Sequence, residues 1–339
     1  MDGYDIIGDI HGSGYKLRVR LKELGYRHDA WTNAYRHADR TAIFVGDLID
    51  RGPAQREVLE IVKAMVDSGS AQIVMGNHEF NALAYAIPDN LNPGEHLRKH
   101  SAKNKIQHEA FLSQLTKAEQ AHYLSWFRTM PLWLDLGGLR VVHACWHKPS
   151  MRIIEEYLEG PSFSTFEQLA LAARKPRGEE RSPIYEAVEK LLKGPEMDLT
   201  SYGIPGFKDK DGFERTHARI RWWKHDVSSV RDLAEIPRDA VDEEGNNYLE
   251  AHGHGLEQDL NPADANCLYN DQTPVFYGHY WRADEPVEHE DWTSRTACVD
   301  FSAVKGGTLV AYRWDGEREI DRSHYHPHGA NLVSREPSA

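Results

Sequence analysis

Gly46-Asp47-Leu48-Ile49-Asp50-Arg51-Gly52-Pro53 follows directly on the apolar run Ala42-Ile43-Phe44-Val45. Two carboxylates and a guanidinium thus stand where a buried strand ends, the place at which open α/β sheets carry their chemistry. Three other apolar runs end the same way: Ile6-Ile7-Gly8-Asp9, Val74-Met75-Gly76-Asn77 and Phe276-Tyr277-Gly278-His279. A fifth, Val141-Val142-His143, omits the glycine. Each delivers a side chain able to bind a metal, and glycine removes the β-carbon where backbone must approach a crowded centre. Together the five endings predict a single site at the strand ends of an α/β fold.

Between the strands, the apolar spacing alternates to helix. Leu17, Leu21 and Leu24 share one helical face, Val58, Ile61, Val62, Met65 and Val66 share another after Pro53, and a third helix is predicted over 80–86. Residues 88–130 read as mostly helical and polar, with Thr116 and Glu119 spaced as a capping box. A hairpin around Gly137-Gly138 leads to His143. The pattern changes from 148 to 271, where helices around Glu155, Phe166 and Val188 are separated by charged, Pro/Gly-rich links, and strand character resumes at 274–277, 296–301 and 308–314. The expected organisation is a discontinuous core of 1–147 and 272–321, a mostly helical cap or insertion over 148–271, and a flexible tail over 322–339.

Composition narrows the function. Hydrophobic residues make up 40% and charged residues 27% of the 339, as in soluble globular proteins, and no run approaches the roughly 20 apolar residues of a membrane span. The net charge of -13 argues against sequence-independent binding to duplex nucleic acid and favours a small or peptidic substrate. The N-terminus carries no basic, apolar leader pattern, which predicts a cytoplasmic protein. Cys145, Cys267 and Cys298 form no Cys-x-x-Cys pair and are expected to be small buried hydrophobes.

The donors at the strand ends are carboxylates from Asp9 and Asp47, an amide oxygen from Asn77, and imidazoles from His11, His143 and His279. That mixture suits manganese first, with iron, zinc, nickel or cobalt able to take the same donors, and excludes a thiolate centre. Asp9 and His11, two residues apart on a turn, can hold one ion. A bridging carboxylate, assigned to Asp47, would bring a second to about 3.5–4 Å, the spacing of two-metal phosphoester hydrolases.

The chain resembles the calcineurin-like metallophosphoesterases of the phosphoprotein-phosphatase type. The resemblance rests on Gly8-Asp9-x-His11-Gly12, Gly46-Asp47-x-x-Asp50-Arg51-Gly52, Gly76-Asn77-His78-Glu79, His143 and Gly278-His279. It covers about 4–146 and 274–314. It implies a calcineurin-like α/β sandwich of two packed mixed sheets flanked by helices. It also implies Asp9, His11 and Asp47 at one metal, and Asp47, Asn77, His143 and His279 at the other. His78 is then the acid near the leaving group, Asp50 its orienting partner and Arg51 the phosphate ligand. A hydroxide-like water between the two cations would attack phosphorus in line, with inversion and no phosphoenzyme.

Substrate signals divide. Gly278-His279-Tyr280-Trp281, Cys298-Val299-Asp300, Gly306-Gly307-Thr308-Leu309 and Arg313-Trp314 resemble the bacterial symmetrical dinucleoside tetraphosphatases, whereas Asp50-Arg51-Gly52 and Glu79 resemble the Ser/Thr protein phosphatases. The first expectation is a phosphatase acting on a phosphomonoester or phosphoprotein; the alternative is a dinucleoside polyphosphate hydrolase. A metal-bound phospholigand-binding module without turnover is the reading from another class. In the insertion, Arg215, His217, Arg219 and Arg221 alternate with apolar or small residues, so a strand here would have one basic face, and Arg219 and Arg221 are candidate phosphate ligands. His252 and His254 rival His279 as the Gly-His donor, but the segment before them is a poor buried strand. Asp300 either ends its strand or supports the site, and Trp222 and Trp223 either fill a core or stack on a base.

Overall fold

Apolar runs bounded by glycine and turn formers become the strands, and the stripes between them become helices that cover the sheets. The computed structural model describes residues 3–178, 180–209, 212–283 and 285–327. In chain order, β1 (Gly3–Ile7), α1 (Gly14–Glu23), the hairpin β2 (Arg27–Asp29) and β3 (Ala34–Arg36), β4 (Arg40–Phe44), α2 (Gln55–Asp67), β5 (Ala71–Ile73) and α3 (Asn77–Ala86) form the first half. Next come α4 (Ala102–Gln107), α5 (Glu109–Gln114), α6 (Lys117–Phe127), β6 (Trp133–Asp135), β7 (Arg140–Val142), α7 (Lys148–Leu158), α8 (Phe166–Ala173) and α9 (Pro183–Lys193). Thr116 and Glu119 do form the predicted capping box of α6. The β2–β3 hairpin was not predicted, because β2 is polar and both strands are only three residues long.

The chain divides into two compact units, Met1–Lys193 with Gln272–Ala339, and Gly194–Asp271. The second holds β8 (Glu196–Asp198), β9 (Phe207–Lys208), β10 (Glu214–Arg215), β11 (His217–Ile220), β12 (Ala234–Glu235) and the four-residue helices α10 (Val230–Leu233), α11 (Tyr248–Ala251), α12 (Gly253–Leu256) and α13 (Pro262–Ala265). The first resumes with β13 (Val275–Tyr277), β14 (Thr296–Cys298), β15 (Ala311–Trp314) and β16 (Tyr325–His326).

Three sequence expectations are corrected. The second unit starts at 194 rather than 148, because the apolar faces of α7 and α9 pack on each other and the Ala144 and Cys145 N–H groups donate to the Leu191 carbonyl. That second unit is not mostly helical: β12, β11 and β8 form a sheet, and its described helices are single turns. The start of the expected flexible tail belongs to the sheet, since β16 pairs antiparallel with β15; residues 328–339 lie outside the described residues.

In the first unit, one sheet has the order β16-β15-β1-β4-β5 and the other β14-β13-β7-β6. β1, β4 and β5 run parallel, as do β7, β13 and β14. Ile6, Ile43, Val45 and Val74 of the first sheet share a core with Val141, Phe276, Ala297 and Val299 of the second, which makes the pair a sandwich. Phe276 and Tyr312 meet across it at 4.8 Å between ring centroids, and truncating Phe276 to Ala would cost about 3–5 kcal/mol. Parallel strands end at one edge of each sheet, so the segments after β1, β4, β5, β7 and β13 converge there.

Candidate metal centre

The converging loops are unusually constrained. His11, Asp47, Asp50, Arg51 and His279 have φ of 46, 51, 70, 68 and 77°, in the left-handed region that non-glycine residues rarely adopt. Such conformations persist when the surroundings hold them, and they cluster at functional sites. Here the hold is visible. The buried Glu79 carboxylate accepts the N–H groups of Leu48 at 2.8 Å, Asp47 at 2.9 Å and Gly76 at 3.0 Å, tying the start of α3 to the loop after β4. Burial and the Asp47 charge push Glu79 up to about 7. A β-carbon on Gly278 would lie 2.1 Å from Asp9 Oδ1 and 2.8 Å from Val45 Cγ2, so glycine is required by the close approach of the two sheets.

Two groups of donors form around Asp47. His11, Asp47 and His78 make one, and Asp47, His143 and His279 the other, each with its donor atoms within 4.8 Å of one another. Asp47 is the shared member. Asn77 Oδ1 joins the second group, 3.0 Å from His143 Nε2 and 2.9 Å from His279 Nδ1. Asp9 is in neither group but adjoins both strands: its Oδ2 accepts the His279 N–H at 3.1 Å, and its buried Oδ1 has no hydrogen-bond partner among the described residues.

The protonation pattern suits cations. His143 Nδ1 donates to the Val45 carbonyl at 2.8 Å, and His11 Nδ1 donates to the Ile49 carbonyl at 2.8 Å. In the neutral ring with Nδ1 as donor, each Nε2 carries a lone pair and faces acceptors: Asn77 Oδ1 and, at 3.5 Å, Asp47 Oδ1 for His143, and Asp47 Oδ2 at 3.5 Å for His11. Backbone carbonyls that fix the outer nitrogen of an imidazole are a common device of metal-binding histidines. Burial, reinforced by His78, lowers His11 to about 3, which keeps it neutral. Burial, Asp300 and Asp47 raise Asp9 well above the carboxylate range. Burial alone would raise Asp47, but His143, His78 and the hydrogen bond from the His78 N–H outweigh it, and the net shift is downward. Opposed lone pairs and crowded buried carboxylates are what divalent ions relieve, and the donor set fits them.

His78 stands one residue past Asn77 on the first turn of α3, which begins three residues earlier than predicted. Its N–H donates to Asp47 Oδ1 at 2.9 Å, and its Nδ1 meets Asp50 Oδ2 at 2.6 Å. Sequence reasoning missed His108: its Nδ1 reaches the same Asp50 oxygen at 2.9 Å. Nothing in the sequence marked it, for it lies in a polar helical stretch with no strand before it. Burial lowers the pKa of His78, but Asp47 and Asp50 outweigh it and the net shift is upward. Arg51 is exposed, and the Arg51 guanidinium carbon lies 4.4 Å from the Trp281 ring centroid. Asp300, buried, accepts the Trp281 N–H at 2.7 Å and the Ser302 N–H at 3.0 Å.

Other expectations resolve differently. The basic strand is broken: Arg215 lies on β10 in an ion pair with Asp209, Arg219 on β11, and Arg221 beyond its end. Arg219 and Arg221, both half-buried, belong to the second unit, as do His252 and His254, which join no metal-capable group found among the described residues. Trp222 and Trp223 are fully buried, 6.1 Å apart edge to face, in that unit's core. None of the three cysteines forms a disulfide, and all are buried. Among the described residues no helix is long and apolar enough to cross a membrane.

A family model described as calcineurin-like phosphoesterase matches residues 4–203, more than half the chain. An asymmetrical bis(5'-nucleosyl)-tetraphosphatase PrpE from Anoxybacillus flavithermus (strain DSM 21510 / WK1) is 31% identical over 146 residues, 42% of this chain and 56% of that protein. A symmetrical bis(5'-nucleosyl)-tetraphosphatase from Aromatoleum aromaticum (strain DSM 19018 / LMG 30748 / EbN1) is 30% identical over 138 residues, 41% of this chain and 42% of that protein. The chain spans about half the length of the curated relatives it matches. Among solved structures, a protein serine/threonine phosphatase from Saccharomyces cerevisiae aligns over 95% of this chain and 78% of its own, with 14% identity and a TM-score of 0.41. By the family match over 4–203, the chain belongs to the calcineurin-like phosphoesterases and has their α/β sandwich.

Proposed function

We propose that the chain is a metal-dependent hydrolase of phosphate esters and anhydrides. The observation that carries this reading is the position of Asp47 in both donor groups. Asp9, His11 and Asp47 would hold one divalent ion, and Asp47, Asn77, His143 and His279 a second, with manganese the first choice. Ions bound there would supply Lewis-acid charge and lower the pKa of water they coordinate.

The chain's own residues account for the remaining parts. Arg51, free of carboxylate partners among the described residues, binds phosphoryl oxygens and offsets their charge. His78 donates a proton from Nε2 to the departing oxygen, while Asp50 accepts from Nδ1 and fixes the ring. Of the two substrate classes weighed from the sequence, we place the dinucleoside polyphosphate ahead of the phosphomonoester or phosphoprotein. That order rests on the names of the curated relatives, both asymmetrical and symmetrical tetraphosphatases.

A comparison of an aryl phosphate, a phosphopeptide and diadenosine tetraphosphate, with bound metal quantified, tests the proposal. It predicts the highest kcat/KM on the tetraphosphate. Preference for the phosphopeptide would reverse the order of substrates, and no turnover on any of the three by metal-loaded protein would refute hydrolysis.

A further inference from the structure

Trp281 sits at the meeting point of three charged or metal-capable side chains. The Arg51 guanidinium carbon lies 4.4 Å from its ring centroid, Lys305 Nζ lies 4.0 Å from the same centroid, and the His11 imidazole stacks on it at 5.2 Å and 18°. The residue adopts φ 53°, unusual for so bulky a side chain, and its N–H is fixed by the buried Asp300 carboxylate. Arg51 is itself at φ 68°. Two strained backbone positions therefore bring an arginine and an indole into register.

A cation over an aromatic face is oriented by the ring quadrupole without being neutralised. A carboxylate in the same place would hold the guanidinium equally well but would cancel its charge towards a ligand. Arg51 is exposed and has no such carboxylate among the described residues, and Lys305 is exposed on the short turn Ala303–Lys305. Two cations gathered at one ring suit a ligand that carries two adjoining phosphates.

We propose that Trp281 is a positioning residue that presents Arg51 and Lys305 side by side, Arg51 to the reacting phosphate and Lys305 to its neighbour, so that the site selects phosphoanhydrides over monoesters. This rests on the reading of the site as a phosphoester and anhydride hydrolase, and it adds the residues that would set the preference.

The test is calorimetric titration of manganese-loaded protein, at equal metal content, with methylenediphosphonate, a pyrophosphate isostere that is not hydrolysed, and with orthophosphate. Wild type is expected to bind the diphosphonate about tenfold or more the tighter, and Lys305→Ala to bring the ratio within about threefold. Trp281→Leu should lose the preference and also weaken orthophosphate binding, while Trp281→Phe, which keeps an aromatic face, should restore most of both. An unchanged ratio in Lys305→Ala, or no preference in wild type, would overturn the proposal. Trp281→Leu protein that is folded, metal-loaded and still selective would overturn the positioning role, and if that variant does not fold, Trp281→Phe and Lys305→Ala decide. Failure of the hydrolytic reading looks different: no turnover on any substrate, with binding ratios that still respond to Lys305.

Discussion

His78 Nδ1 and Asp50 Oδ2 lie 2.6 Å apart in a buried hydrogen bond that fixes the imidazole at the start of α3, with its Nε2 3.9 Å from Asp47 Oδ2. His78 stands within the His11–Asp47 donor group, but its Nδ1 is taken by Asp50, and the proton rather than a metal is assigned to it. His78→Asn should therefore retain both ions while kcat falls by about 10²–10⁴. Metal analysis beside steady-state kinetics checks this, and loss of metal in proportion to activity would move His78 into the ligand set.

His108 approaches the same Asp50 oxygen at 2.9 Å. The hydrogen bonds from His108 and His78 outweigh burial and hold the Asp50 carboxyl below the usual range, so it stays ionised behind His78. His108→Leu should lower kcat by about tenfold through a loosened Asp50, with metal content intact, and His108→Gln should recover part of the loss. Equal kcat in wild type and His108→Leu would show that Asp50 needs only one imidazole.

Gly278 has no room for a side chain: the added β-carbon would meet Asp9 Oδ1 at 2.1 Å. Gly278→Ala should displace Asp9, costing about 1–3 kcal/mol of stability and lowering metal occupancy. Denaturant unfolding with and without metal measures both effects.

His147 gives a pH dependence away from the donors. Its Nδ1 accepts the Ser150 N–H at the start of α7, and burial, with Lys190, lowers it to about 4 from the ordinary 6.5. A folded pKa below the unfolded one means that the unfolded chain takes up the proton first as pH falls. The contribution is complete above about pH 6.5 and is lost as pH drops towards 4. Discounted for partial exposure, it is on the order of 1–2 kcal/mol. His147→Asn, which keeps an N-cap acceptor, should flatten apoprotein stability across that window. An identical pH profile in the variant would remove His147 from the account.

Much of this arrangement is legible in the sequence because the information is local. Asp9, Asp47, Asn77 and His279 each follow an apolar run and a glycine, and a parallel strand carries its last residue to a common edge whatever the loops do. His143 needs only its strand. What escapes is non-local. His108 acts through Asp50 across 58 residues, and no feature of the polar stretch around it marks the contact. Trp281 is in plain view beside His279, but its pairing with Lys305 depends on how the turn after β14 folds back. The 194 boundary depends on the α7–α9 packing, which composition does not reveal. The basic alternation at Arg215–Arg221 spans two strands, because the chain bends at Thr216 between β10 and β11.

The central claim is that Asp47 serves two metal ions at once. The most direct measurement is metal stoichiometry and activity in wild type and Asp47→Asn, by elemental analysis of protein loaded with manganese and freed of excess. The account predicts two ions per wild-type chain, and fewer ions with activity lost together in the variant. Two full ions in active Asp47→Asn protein would contradict it.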